Sequence, residues 1–388
     1  MVEFYEPRED SALLGKEAEK YAYGDVLDMG TGSGILAVKA AERKEVRKVA
    51  AVDINQNALD YCNKTIKNKK IKFCRSDLFS CFKNKNIKFD TIIFNPPYLP
   101  QEKGAVDVAL YGGKHGYEAI EKFLSQANDF LKDDGMILLL FSSLSKKEKV
   151  DGFIRQNLFH AELIAQQHIF FESLFVYKIT KTELLKKLSG NGLKELSFFK
   201  KGHRGIAYKA MLKKKEVIAK VVNPSSAASG RLEIEAKFLK LLGKKSICPK
   251  IFLADKDFIV MEFIDGERIM DYIGKNNKKT IIAIIKKIFL QLRILDKLGI
   301  DKEEMHHPFK HIIVRNEKPY LIDFERCHYT ENPKNITQFL QFLASAKMAE
   351  LLEKKNINFA REKMISLAKQ YRANIGEKSY RRILNYVA

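Results

Sequence analysis

Residues 25–53 leave the chain few choices of architecture. Asp25-Val26-Leu27-Asp28-Met29 is a short apolar strand, Gly30-Thr31-Gly32-Ser33-Gly34 a glycine-rich turn, Ile35–Ala41 a helix and Val49–Asp53 a second strand. That is one strand–helix–strand unit, and such a unit packs only as two parallel strands with the helix crossing over one face. Further short apolar strands follow at Ile71–Cys74, Thr91–Phe94, Met136–Leu140 and Phe175–Lys178, with helical patterns between them, such as Gly116–Leu131. Alternation of this kind predicts a doubly wound, mostly parallel sheet. It stops near Ile179. A polar, glycine-bearing stretch, Ser189-Gly190-Asn191-Gly192, then suits a boundary.

Charge divides the chain in the same place. Residues 1–180 hold 26 basic and 25 acidic side chains, whereas 181–388 hold 43 and 23, so nearly all of the net +21 sits in the second half. The expected organisation is therefore a domain over 1–180, a linker over 181–195 and a second domain over 196–388. The second half opens with strand-like alternation (Ile206–Met211, Val217–Val222), continues with a helix (Leu232–Leu242) and a strand around Phe258–Ile264, and reads mainly helical from Ile281. A small β-rich lobe before a helical lobe is an α+β arrangement. Its basic character suggests RNA, a ribosome or a nucleotide as partner. No run approaches the 18 uncharged apolar residues of a membrane helix. No signal peptide is visible, and the five cysteines are scattered and odd in number. Membrane and secreted classes are set aside, and a cytoplasmic globular protein without disulfides or structural zinc is expected.

Three groups of residues carry chemistry. In the first, Gly30, Gly32 and Gly34 let backbone approach a ligand, while Asp53, at the end of the next strand, is placed to take both ribose hydroxyls of a nucleotide. The spacing is G-x-G-x-G preceded by Asp28. A carboxylate repels a pyrophosphate but attracts a cationic methionine moiety, so S-adenosylmethionine fits better than a dinucleotide. Asp77 is positioned to accept from an adenine amino group. In the second, Asn95-Pro96-Pro97-Tyr98 leaves the strand Thr91–Phe94 at the edge where α/β proteins bind ligands. An amide or arylamine nitrogen is planar and a poor nucleophile. The Asn95 side-chain oxygen and the Pro96 carbonyl are suited to accept its two N–H bonds and aim it, with Tyr98 packing on the planar group. In the third, Gly202-His203-Arg204-Gly205, Lys220, Glu235, Glu262 and Asp323 occur in the order that a phosphoryl-transfer site needs: glycine turn, Lys–Glu pair, lobe connector and metal-binding Asp.

The first two groups resemble class I methyltransferases of the HemK type, which methylate the N5 of a glutamine in translation release factors. The opening Phe4-Tyr5-Glu6-Pro7-Arg8-Glu9-Asp10-Ser11-Ala12-Leu13-Leu14 and the loop Tyr111-Gly112-Gly113-Lys114-His115-Gly116 resemble the archaeal and eukaryotic branch, which modifies the Gly-Gly-Gln glutamine of class 1 factors. The resemblance spans residues 1–180 and implies a Rossmann-like fold. It further implies cofactor contacts from Ser11, Asp28, Gly30, Asp53, Asp77, Leu78 and Asn95, with Asn95 also holding the substrate amide. A small zinc-binding activator subunit, required by related enzymes, is a further expectation. The second half resembles kinase-like proteins related to the RIO group, through Leu298-Gly299-Ile300-Asp301, His307-Pro308-Phe309-Lys310-His311 and Asp323-Phe324-Glu325-Arg326. That implies ATP at Gly202, Gly205, Lys220, Glu235 and Glu262 and magnesium at Asp323. It departs from the kinase pattern where His306 and His311 stand for the catalytic-loop Asp and Asn and where Glu325 replaces the glycine of D-F-G. The expected function is glutamine methylation by a chain fused to an ATP-binding module. The alternatives are an adenine-N6 methyltransferase acting on nucleic acid, and a ribosome-associated ATPase or kinase with an accessory methyltransferase domain.

Overall fold

A computed structural model describes residues 7–101, 111–202, 204–223 and 230–388. Phe4, Tyr5 and Glu6 of the opening motif, and His203, lie outside the described residues. The chain divides into two compact units, Met1–Phe198 with Ala210–Lys214, and Phe199–Lys209 with Lys215–Ala388.

The first unit runs α1 (Glu9–Tyr21), β1 (Gly24–Met29), α2 (Ile35–Ala41), β2 (Val46–Asp53), α3 (Gln56–Thr65), β3 (Ile71–Arg75), β4 (Phe89–Phe94), α4 (Glu118–Phe130), β5 (Leu131–Ser142), α5 (Lys147–Gln156), β6 (Phe159–Ile169), β7 (Glu172–Lys181) and α6 (Glu183–Gly190). Seven strands form one sheet in the order β3-β2-β1-β4-β5-β7-β6. Strands β1 to β5 are parallel, and β7 is antiparallel to both β5 and β6. Central strands are buried on both faces and so read as unbroken apolar runs: Ile92, Ile93, Ile137, Leu138, Leu139 and Leu140 are all fully buried. The register places the ends of the parallel strands side by side, with Met29 opposite both Val52 and Phe94. Gly30, Asp53 and Asn95, each at or just past a strand end, therefore share one edge, the edge on which ligands of open α/β sheets sit.

Two features differ from the sequence reading. Strand β6 was not expected. It is the edge strand, with exposed and half-buried positions along nearly all of its length, so its apolar pattern is weak. The stretch 181–195, expected as a linker, is ordered structure: Lys181 ends β7, α6 follows, and β8 begins at Leu193. The Thr182 hydroxyl caps α6 by accepting from the Leu185 N–H, and Leu185, Leu188 and Leu193 are buried. An apolar face of this kind outweighs the polar Ser-Gly-Asn-Gly signal.

The remaining elements are β8 (Leu193–Lys201), β9 (Gly205–Leu212), β10 (Lys215–Val222), α7 (Arg231–Gly243), β11 (Ile251–Ala254), β12 (Phe258–Glu262), β13 (Glu267–Arg268), α8 (Ile269–Lys275), α9 (Lys278–Lys297), β14 (Ile300–Asp301), β15 (Ile312–Arg315), β16 (Lys318–Leu321), β17 (His328–Tyr329), α10 (Asn335–Leu343), α11 (Ala346–Glu353), α12 (Arg361–Ala373) and α13 (Glu377–Tyr386). A five-stranded sheet has the order β11-β12-β10-β9-β8. Helix α9 starts at the Asn277 cap and buries Ile281, Ile284, Ile285, Ile288, Phe289, Leu292 and Leu295, the i, i+3, i+4, i+7 stripe that organises the helical core of the second unit.

Candidate active site

The edge of the first sheet carries a cleft of about 600 Å³. Its cofactor half is built on the glycine turn. The Thr31 N–H donates to the Val52 carbonyl, which splices the turn onto the neighbouring strand. The Asp53 carboxylate accepts from the Gly32 N–H at 2.9 Å and the Asn55 N–H at 2.9 Å, so it shapes the loop as well as facing the cleft. Gly34 has φ +82°, and a Cβ there would fall 2.4 Å from Ile66 Cδ1, so this glycine serves the packing of α2.

Asp28 is placed differently from the expectation that it faces a cationic ligand. It is fully buried behind the turn and is not among the residues lining the cleft. Burial pushes its carboxyl up to about 7, against the Thr31 hydroxyl, which donates to it at 2.6 Å. Asp28 thus reaches the cleft only through Thr31, which lines it. Ser11, Gly30, Gly32, Asp77 and Leu78 line the cleft. Asp77 already holds a partner that the sequence did not reveal, the Lys122 ammonium at 2.9 Å.

The other half is Asn95-Pro96-Pro97-Tyr98, all four on the cleft wall. Beside them on the cleft wall is Asp10, a residue that the sequence reading quoted only as part of a motif. It is almost completely buried, and its Oδ2 accepts from Asn95 Nδ2 at 3.0 Å and from the Tyr98 hydroxyl at 3.3 Å. Its Oδ1 accepts from the Ser11 N–H at 2.6 Å. A carboxylate oxygen is an acceptor, so the nitrogen end of the Asn95 amide is the end that faces Asp10. The consequence lies on the other end: Asn95 Oδ1 is buried and has no hydrogen-bond partner among the described residues. A buried acceptor without a donor is costly to keep, and Asn95 is one of the residues that line the cleft.

The Tyr111–Gly116 loop supports the tetrapeptide from outside. A Cβ on Gly112 would lie 2.3 Å from the Pro97 carbonyl oxygen, and one on Gly116 2.4 Å from that of Tyr98. Only glycine permits this approach. Glu118 closes the loop by accepting from the His115 and Tyr117 N–H groups.

The second unit has its own polar cavity, of about 400 Å³, lined by Gly202, Arg204, Gly205, Lys220, Asp323 and Glu325 among others. Lys220 Nζ lies 2.6 Å from Glu235, 3.1 Å from Asp323 and 3.4 Å from Glu325. Burial alone would lower the Lys220 pKa, but these carboxylates outweigh it and raise it, so the ammonium stays charged. Asp323 is likewise held below the usual carboxylate range, the cost of burial being overcome by Lys220 and Lys302. Asp323 has φ +64°, and the buried Lys302 donates to its carbonyl at 2.6 Å. Oxygen atoms of Glu235, Asp323 and Glu325 lie within 4.8 Å of one another. Glu262 departs from the expected ATP set: its carboxylate pairs with Arg315 at 2.7 Å and is not among the residues lining the cavity. His311 Nε2 lies 3.3 Å from Glu304, and burial pushes the His311 pKa down to about 4.

Comparison with known proteins bears on the first unit. A family model described as "Methyltransferase small domain" matches residues 9–171. A putative protein N5-glutamine methyltransferase of Methanocaldococcus jannaschii is 36% identical over 181 residues, covering 45% of this chain and 90% of that protein. A release factor glutamine methyltransferase of Streptococcus pneumoniae is 34% identical over 126 residues, covering 29% of this chain and 44% of that one. The chain thus spans about half the length of this bacterial relative. Among solved structures, the E. cuniculi Mtq2-Trm112 complex, described as responsible for the methylation of the eRF1 translation termination factor, is similar at 26% identity and a TM-score of 0.38, covering 46% of this chain and 99% of that one. Identity of 36% across nine-tenths of the Methanocaldococcus protein is common descent, and the chain belongs to the HemK-like glutamine methyltransferase family.

Proposed function

We propose that the first unit methylates the side-chain amide nitrogen of a protein glutamine, the glutamine of the Gly-Gly-Gln motif of a class 1 translation release factor. The observation that carries this reading is the unpartnered, buried Asn95 Oδ1, held outward by the Asp10 carboxylate. The glycine turn and Asp53 fit S-adenosylmethionine, which when bound supplies a methyl group on a sulfonium sulfur. A glutamine amide brings two N–H donors and a nitrogen whose lone pair is delocalised into its carbonyl. Asn95 Oδ1 accepts one N–H, and the Pro96 carbonyl is assigned the other. As the nitrogen attacks, the methyl–sulfur bond breaks to leave a neutral thioether, conjugation weakens and the N–H groups become more acidic, one proton passing on to solvent, so both acceptors bind the transition state better than the ground state. Catalysis in this unit is positioning and charge stabilisation. Losing one such oriented contact typically costs about 10²–10³ in rate.

The test is mass spectrometry of a class 1 release factor and of a short Gly-Gly-Gln peptide, each incubated with the full chain and S-adenosylmethionine, with and without a small zinc-binding activator subunit. A methyl on the glutamine that falls about 10²–10³-fold in rate with Asn95→Ala is the expected result. Methylation of adenine in RNA with none on the factor refutes the substrate.

A second reading is supported by the Lys220–Glu235 pair beside Asp323. We assign the second unit a kinase-like, RIO-related nucleotide site, with Lys220 holding phosphate oxygens and Asp323 a magnesium ion. The absence of an Asp at the catalytic-loop position leaves binding or hydrolysis of ATP as the proposed activity, and the unit's positive charge as a proposed contact to RNA or the ribosome. Among the described residues no helix is long and apolar enough to cross a membrane.

A further inference from the structure

The hairpin joining β6 and β7 turns through two residues, because Ile169 pairs with Glu172 across it. Turns this tight ordinarily select Asn, Asp or Gly. Here both residues are phenylalanine, Phe170 and Phe171, at 102% and 96% exposure, whereas the next most exposed large apolar side chain among the described residues, Leu290, reaches 57%. Their ring centroids are 6.4 Å apart, so the two form one aromatic surface.

The tip is anchored. Strand β6 runs parallel to β5, which puts the turn at the carboxyl edge of the sheet, the edge that carries Asn95. Ser142, at the end of β5, donates its hydroxyl to Glu172, and the next serine, Ser143, accepts from the Ser173 N–H at 3.0 Å. Ile169 and Glu172, the residues flanking the two rings, line the same cleft as Asn95 and Tyr98. The aromatic pair is therefore continuous with the Asn95–Tyr98 half of the cleft. A glutamine carried on a protein surface and inserted toward Asn95 brings the neighbouring surface of that protein over this rim.

We propose that Phe170 and Phe171 are a docking surface for the folded protein that presents the target glutamine, receiving an apolar patch beside the glutamine loop. Paired exposed aromatics are the side chains that most often anchor an interface, since they bury large area at small entropic cost. The inference rests on the reading that the methyl acceptor is a protein glutamine.

The test compares two substrates on the full chain, under the conditions in which wild type is active: a folded class 1 release factor and a short Gly-Gly-Gln peptide, too small to reach the rim. The Phe170→Ser/Phe171→Ser variant is expected to lose about 10- to 100-fold in kcat/KM on the folded factor, mostly through KM. The peptide rate and thermal stabilisation by S-adenosylmethionine stay at wild-type values. Phe170→Leu/Phe171→Leu, which keeps apolar area, is expected to recover most of the loss. Factor methylation within twofold of wild type by the serine variant overturns the proposal. So does an equal loss on both substrates accompanied by weaker cofactor stabilisation, which would place the rings' role in the fold. Wild type that methylates neither substrate refutes the glutamine reading itself, and the rim proposal with it.

Discussion

Asp10 offers the sharpest test of how the site works, because it lies on the cleft wall next to Asn95 and its carboxylate sets the direction of the Asn95 amide. Replacing it by alanine removes the acceptor of Asn95 Nδ2 at 3.0 Å and of the Tyr98 hydroxyl at 3.3 Å. A hydrogen bond to a charged group is worth about 1.5–3 kcal/mol, and that is the preference for the oxygen-outward rotamer that is lost. Without it the amide samples the flipped state, which presents N–H groups to a substrate that also brings N–H groups. If the whole preference is felt in the transition state, the rate falls by roughly 10- to 150-fold, at about 1.4 kcal/mol per factor of ten. The loss should appear in kcat, since the acceptors matter most as the nitrogen attacks, and cofactor affinity should change little. Asp10→Asn, which keeps an acceptor oxygen, should restore part of the rate, whereas Asp10→Leu, which keeps the volume but has no acceptor, should not. Steady-state methylation of a Gly-Gly-Gln peptide, with calorimetry for the cofactor, reads both. Wild-type kcat in Asp10→Ala would refute the argument that the carboxylate orients Asn95.

Asp53→Ala should weaken S-adenosylmethionine binding by about 10-fold or more, since charge-assisted bonds contribute roughly 1.5–3 kcal/mol each; unchanged affinity by calorimetry removes the ribose role. Mg-ATP at millimolar concentration should raise the melting temperature of the full chain, and Asp323→Ala should abolish most of the shift; the absence of any wild-type shift removes the nucleotide reading of the second unit. Asp28 has its carboxyl raised by burial to about 7 from an ordinary 3.8, so the folded state holds a proton that the unfolded chain releases. Its contribution to stability is therefore full below pH ~4 and is lost as pH rises through about 7; Asp28→Asn should flatten that part of the stability–pH curve in denaturant titrations.

Local chemistry written along the chain determined much of this protein. Strand–turn–helix periodicity placed Gly30–Gly34, Asp53 and Asn95–Tyr98 at strand ends, and the parallel sheet then had only one edge on which to gather them. The order of Lys220, Glu235 and Asp323 likewise anticipated a cluster now seen within hydrogen-bonding distance. The missing information concerns pairs distant in sequence. Asp10 meets Asn95 across 85 positions and Glu262 meets Arg315 across 53, and no spacing rule encodes such encounters. Arg204 and Glu325, 2.9 Å apart in the second cavity, are 121 positions apart. Burial has the same non-local origin. Asp28 and Asp53 are both acids at strand ends, yet one is sealed behind the turn and the other faces the cleft, because the elements packed around each decide which carboxylate meets water. Only the folded chain decides whether a carboxylate binds a ligand, braces a loop or aims a neighbouring amide, because each role depends on which groups close packing brings within 3 Å of it.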